Sequence, residues 1–264
     1  MGVPAPIPAR HDLKLAMLLG LVAGLSVIAL MPYLMQVMPE RLARVPIPLP
    51  WLAAVQALQT MLLIGALSFC GLRMGHRVGL GAPLLQRGLN RRPLAAADRP
   101  RPGRAMVLGA AGALVVLAAM RAIDPFLPEM LNPPAQAGAG TSALNGLLAS
   151  FYGGIVEELL LRLFLMTLLV WIVARVRGTL PGPAAYWTAI VLAALLFGAG
   201  HLPAAHHIWG LDAVVVLRTV GLNAVIGIVC GWLYWRQGLE MAMLAHFSAD
   251  IVLHILAPLL GAAP

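Results

Sequence analysis

Apolar residues run along this chain in seven long blocks, separated by short stretches rich in Pro, Gly, Arg and His. Each block approaches about 20 residues, the length an α-helix needs to cross the hydrocarbon core of a bilayer. The blocks predict membrane-spanning helices at 13–37 (with Pro32 as a kink), 51–72, 105–123, 155–174, 184–202, 212–235 and 239–260. Between them lie a connector at 39–50 with Arg41, Arg44 and four prolines, and a long basic loop at 73–104 that opens with GLGAPLL at 79–85. A Pro/Gly-rich loop at 124–142 and a His-bearing loop at 203–211 complete the connections. The predicted fold is an all-α polytopic helical bundle, a single membrane domain over residues 1–264.

One stretch breaks the pattern. Residues 143–174 are apolar for 32 positions, which as one helix would measure about 48 Å, too long for a single crossing. Paired glycines disfavour helix interior, so the reading breaks the stretch at Gly153-Gly154. A short lead-in helix then precedes the fourth span, whose first turn carries Glu157.

Composition supports the membrane assignment. The chain is 61% hydrophobic and 11% charged, far from the roughly quarter-charged make-up of a soluble domain. The net charge of +8 would raise nucleic acid as a partner in a soluble protein. Here eight of the 18 Lys+Arg residues fall between Arg73 and Arg104, the pattern of a cytoplasmic loop against anionic lipid. Nucleic acid is therefore excluded as a partner and the bilayer takes its place. With 73–104 and 175–183 cytoplasmic, the N-terminus is cytoplasmic too, in an inner or cytoplasmic membrane of prokaryotic type. The run after Arg10, His11 and Lys14 is too long for a signal peptide and reads as an uncleaved first span. Cys70 and Cys230 sit in apolar runs and read as packing residues.

Against this background the ionisable residues inside the blocks stand out, because charge at bilayer depth is costly. Glu157, Glu158 and Arg162 lie within six residues of one another. Glu158 and Arg162 are four apart, in the favourable Glu-then-Arg order for an ion pair on one helix face. Glu157 is rotated about 100° away and is left for another partner, which makes it the better candidate for a working base. Phe197 and His201 stand four apart at the end of the fifth span, and His246 and Asp250 four apart within the seventh, with His254 a turn further on. The fourth and fifth spans are antiparallel, so Glu157 and His201 meet at one membrane face, while His246 lies about 10 Å along its own span.

Two chemistries fit Glu157, His201, His246 and Asp250. Glu157 with His201 could activate water as a general base while His246 and Asp250 stabilise the oxyanion or the leaving group. Alternatively, the two histidines and two carboxylates could bind zinc, which would activate the water. Either way the reaction is hydrolysis of a carbonyl in a lipid-embedded cavity. GxSG, GxGD and HExxH, the marks of other intramembrane proteases, are absent.

The three motifs EExxxR at 157–162, FxxxH at 197–201 and HxxxD at 246–250, in this order on late helices, resemble those of the CPBP family (CAAX protease and bacteriocin-processing, also called Abi). That family includes the type II CAAX prenyl endopeptidases. The resemblance covers about 143–260, and GLGAPLL at 79–85 looks like the family's upstream segment. It implies an intramembrane endopeptidase acting on a membrane-associated protein or peptide, lipidated or anchored by a transmembrane segment, with no cofactor in the glutamate mechanism and zinc in the alternative one. By resemblance Glu157 is the catalytic glutamate, His201 its partner, and His246 and Asp250 the pair that holds the oxyanion, with Glu158, Arg162 and Phe197 in support. The family shows Asn or Asp at the place of Asp250, and an ionised Asp cannot donate a hydrogen bond. The rival readings are a scaffold or immunity-type membrane protein, and a cation or proton pathway through the same polar cluster.

Overall fold

A computed structural model describes residues 8–92, 94 and 100–261. The described residues form an all-α bundle without strands. Its elements are α1 (Ala9–Val37), α2 (Pro39–Ala43), α3 (Leu49–Val78), α4 (Pro83–Asn90), α5 (Pro102–Ile123), α6 (Ala139–Phe151), α7 (Thr167–Arg177), α8 (Pro183–Gly200), α9 (Leu202–Trp209), α10 (Ala213–Gln237), α11 (Leu239–Asp250) and α12 (Ala257–Leu259). Seven helical runs are long and apolar enough to cross a membrane. They correspond one for one to the predicted spans.

The boundaries differ where polar residues sit on helix ends. The second span continues to Val78, so Arg73, His76 and Arg77 are helical and not part of a loop. The reason is Asp12 of α1, fully buried, which accepts hydrogen bonds from Arg73 Nη1 at 3.0 Å, His76 Nε2 at 2.9 Å and Gln86 Nε2 at 2.9 Å. Those bonds satisfy the polar end of α3 and dock α4, itself folded from the predicted basic loop, against α1. Residues 203–209, expected as loop, are helical in α9. Its first turn carries Pro203, which suits a helix start because the missing N–H has no partner there.

The predicted break at Gly153-Gly154 is not a break. The chain passes from α6 into a π-helical segment over Tyr152–Glu157, then a second over Leu159–Met166, and on into α7. The lead-in helix is present, joined in one run from Ala139 to Arg177. The glycines widen the helix instead of ending it. Short π-helical stretches in α-helices frequently mark functional sites. The segment's continuation is held by Thr167, whose hydroxyl donates to the Arg162 carbonyl at 3.1 Å.

Helices approach closely where small residues allow it, as in membrane bundles generally. The GxxxG pair Gly20 and Gly24 of α1 packs on the backbone of α3 at Met61 and Ala57, where a Cβ would come within 2.5 and 2.8 Å of carbonyl oxygens. Gly227 and Gly231 of α10 make room for Ala194 and the Ile190 side chain of α8, where a Cβ would come within 2.8 and 3.0 Å. Cys230 is buried in this core, whereas Cys70 is exposed on α3. The expectation that both cysteines pack internally therefore fails for Cys70, which lies on the outward face of its span.

Candidate active site

The π-helical run, the end of α8 and α11 bring the three sequence motifs together. Glu157 Oε1 lies 3.8 Å from His201 Nε2, and Glu157 Oε2 lies 3.7 Å from His246 Nε2. Asp250 Oδ1 is 3.8 Å from the same His246 nitrogen. These separations are longer than a direct hydrogen bond and are of the kind bridged by a water or a substrate atom. All four residues singled out from the sequence thus surround one space.

Behind them lies a sealed layer. Glu158 and Arg162, with side chains 0% and 1% exposed, form the predicted pair at 3.1 Å. It is an ion pair by distance, without the directionality of a hydrogen bond, since Arg162 Nη1 has no hydrogen-bond partner among the described residues. Arg162 Nη2 donates to the Gly227 carbonyl at 3.0 Å. As expected from the rotation between neighbouring residues, Arg162 serves Glu158 and not Glu157. What the sequence did not disclose is the second partner of Glu158, His246 Nδ1 at 2.7 Å. The hydrogen bond of His246 goes across to Glu158, and Asp250, four residues on in the same helical run, stands at the opposite ring nitrogen. No spacing rule announces a contact between residues on separate helices.

His201 closes α8 as its C-terminal cap, and its Nδ1 donates to the Phe197 carbonyl at 2.9 Å. A carbonyl only accepts, so Nδ1 carries the hydrogen and Nε2 faces Glu157. Phe197 has a larger role than its motif suggests. Its ring meets the His201 ring edge-on at 4.9 Å and the His246 ring at 5.6 Å, and the Arg162 guanidinium lies 5.3 Å from its centroid. One buried ring therefore sets the spacing of both imidazoles and covers the ion pair.

Two further residues belong to the site. Gly153 forms its floor. A Cβ there would stand 2.8 Å from Asp250 Oδ2, 3.2 Å from His246 Nε2 and 3.5 Å from Glu157 Oε2. Tyr33 of α1 packs edge-on against His254 at 6.0 Å. His254 Nε2 is 4.0 Å from Asp250 Oδ1, so this histidine borders the site from the outer side. Tyr33 follows Pro32 in the sequence, and nothing in its local pattern separates it from an interfacial tyrosine.

The donor types at Glu157, His201, His246 and Asp250 suit zinc. The three ligand atoms that actually lie within 4.8 Å of one another among the described residues belong to a different group, Glu158, Cys230 and His246. That trio does not suit a dication, because the Arg162 guanidinium already holds the position beside Glu158 and Glu158 is bonded to His246. A cavity of about 510 Å³ between Arg121, Asp124, Trp209 and Arg218 includes none of the four central residues. There Arg218 donates to both carboxylate oxygens of Asp124 and lies 5.3 Å from the Trp209 ring. This ties the ends of α5 and α9 to the start of α10.

No curated protein and no solved structure matches the chain. Residues 139–252 match the family model described as type II CAAX prenyl endopeptidase Rce1-like. The match contains all three motifs and every side chain of the sealed layer. It supports a CAAX-type intramembrane endopeptidase in general, carried by an integral, multi-pass membrane protein. Over residues 139–252, a little under half of the chain, the protein thus matches a type II CAAX prenyl endopeptidase Rce1-like domain, consistent with a membrane protease of the CPBP family.

Proposed function

We propose that the protein hydrolyses a peptide bond in a membrane-associated protein or peptide, with Glu157 and His201 activating water and His246 and Asp250 serving the oxyanion. The observation that carries this reading is the position of the Glu157 carboxylate between two imidazoles, 3.8 Å from His201 and 3.7 Å from His246. Its side chain is 21% exposed and that of His201 38%, while Glu158 and Arg162 are sealed. The accessible pair meets water and substrate; the buried pair holds the frame.

In this mechanism Glu157 takes a proton from water held between it and His201, and the oxygen attacks the scissile carbonyl. The tetrahedral oxyanion accepts a hydrogen bond from His246 Nε2. Because Nδ1–H is committed to Glu158, a hydrogen on Nε2 makes His246 an imidazolium at that moment. Asp250 cannot donate when ionised; facing Nε2, it orients and balances that imidazolium. Glu157 then returns its proton to the leaving amide nitrogen as the C–N bond breaks. Zinc held by Glu157, His201, His246 and Asp250 is the alternative, and when bound it would supply Lewis-acid activation of the same water.

The substrate class is a lipidated or transmembrane-anchored chain, presented from the face where α8 ends. With the basic helix ends on the cytoplasmic side, that face points away from the cytoplasm. The test is cleavage of a lipidated, membrane-anchored reporter peptide by purified protein. Glu157→Gln is nearly isosteric and removes the base, so the rate falls by about 10²–10⁴-fold, the range for general acid–base groups, with the fold intact. Unchanged cleavage by Glu157→Gln overturns the catalytic assignment. Cleavage restricted to prenylated tails on the cytoplasmic side overturns the orientation. Loss of activity on treatment with a strong zinc chelator, restored by zinc, would transfer the role to the metal route.

A further inference from the structure

On the opposite membrane face from the active site, a cleft of about 300 Å³ opens between the ends of α3 and α7. It is lined by Arg77, Trp171, Arg175, Gly178, Thr179 and Leu180, among others, and by no carboxylate. The donors gathered there lack acceptors. The Trp171 indole N–H is buried and has no hydrogen-bond partner among the described residues. Arg175 lies over the Trp171 ring at 5.9 Å, and among the described residues neither Arg77 nor Arg175 has a carboxylate partner. Gly178 closes α7 in the left-handed region, with φ of 68°, and its N–H makes no capping bond among the described residues. Thr179, which carries a hydroxyl, also lines the cleft. Of these groups only the Trp171 indole N–H is buried, and leaving it without an acceptor is costly; with the exposed guanidiniums of Arg77 and Arg175 beside it, the cleft suits an anion with several oxygens.

We infer that this cleft binds a phosphate group at the membrane surface. Two guanidiniums offer the planar, forked donors that match phosphate. The C-terminal dipole of α7 opposes an anion with about half a negative charge, which two full positive charges exceed. The phosphate could belong to a lipid headgroup or be free in solution. Leu180, 71% exposed, stands at the rim of the cleft, a surface along which an acyl chain can lie. The position at the ends of two spans puts the cleft at headgroup level.

The experiment is native mass spectrometry of the full chain released from nanodiscs of equal parts phosphatidylglycerol and phosphatidylcholine. The wild type is expected to retain phosphatidylglycerol preferentially. Arg77→Gln with Arg175→Gln is expected to lower that retention about tenfold, from the loss of two basic contacts to anionic lipid. Arg236→Gln, which removes a charge at the same membrane face outside the cleft, is expected to leave it unchanged. Circular dichroism and thermal melting establish that the double variant folds, and Arg77→Lys with Arg175→Lys, which keeps the charge, restores part of the retention. Addition of millimolar inorganic phosphate separates the sources. Displacement of the lipid assigns the cleft to soluble phosphate, and persistence assigns it to the headgroup. Equal retention by wild type and the double Gln variant, or equal retention of phosphatidylcholine, overturns the inference.

Discussion

His246 Nδ1 and a carboxylate oxygen of Glu158 lie 2.7 Å apart, joining α11 to the π-helical run across 88 positions of sequence. The same glutamate neutralises Arg162 at 3.1 Å. Glu158 is thus the joint between the electrostatic frame and the histidine that faces Glu157. Glu158→Gln keeps an oxygen for His246 but leaves a buried guanidinium without a counter-charge. Breaking a buried pair in this way costs about 3–5 kcal/mol. The expected outcome is a large fall in melting temperature with loss of peptidase activity, in contrast to Glu157→Gln, which loses activity alone. Pairing Glu158→Gln with Arg162→Met is expected to recover much of the stability and none of the activity. A Glu158→Gln protein that melts like the wild type would remove the framing role.

Gly153 carries no side chain because the space beside its Cα belongs to the site. A methyl group there would contact Asp250 Oδ2 at 2.8 Å, closer than real Cβ atoms come, and would push Asp250 or His246 aside. Gly153→Ala is expected to lower activity by about 100-fold, the scale of an ångström-level misplacement of reacting groups. Helix propensity runs the other way, favouring Ala over Gly by about 1 kcal/mol, so stability is expected to change little. Gly154, whose Cβ would meet only Phe247 and Met243 at 3.4 to 3.5 Å, serves as the comparison and is expected to tolerate Ala better. Kinetics of the two variants side by side check the difference.

These two sites show how far the sequence could be read. The seven spans were legible because a bilayer demands continuous apolar runs, and the motif residues because charge within those runs is costly. Glu158 with Arg162 was readable from spacing along one helix. Glu158 with His246 was not, since it joins two helices and depends on how the bundle closes. The glycine pair carried the opposite ambiguity. Paired glycines signal a helix end as readily as a widened turn, and only the contacts of Gly153 with Asp250 and His246 decide for the second. The basic loop misled for a similar reason. Arg73 and His76 look solvated until Asp12, 61 and 64 positions earlier, is placed against them.

Asp12 supplies a prediction that separates stability from chemistry. It is fully buried and accepts from Arg73, His76 and Gln86, far from the active-site face. Asp12→Ala strands three donors and is expected to destabilise the protein by about 1–3 kcal/mol, the cost of buried polar groups left unmatched. The melting temperature falls while kcat per folded molecule stays constant. A selective loss of kcat in fully folded Asp12→Ala protein would show instead that the α1–α3–α4 end communicates with the site.

Asp250 is the residue whose chemistry most constrains the mechanism, because it faces His246 Nε2 at 3.8 Å and cannot itself donate when ionised. If it orients the imidazolium by charge, Asp250→Asn keeps the shape and loses the charge, while Asp250→Ala loses both. The amide NH₂ of Asn can point at the oxyanion directly, which replaces one form of stabilisation by another. Asp250→Asn is therefore expected to retain activity within about tenfold of wild type, and Asp250→Ala to lose about 10²–10³-fold, the scale of removing an oxyanion donor. A metal ligand would behave differently. Asn is a much weaker zinc ligand than Asp, so under the zinc alternative the Asn variant would lose bound metal and activity together. Activity of Asp250→Asn measured with and without added zinc decides between the two: zinc-independent retention supports the glutamate mechanism, and zinc-dependent rescue places the ion among Glu157, His201, His246 and Asp250.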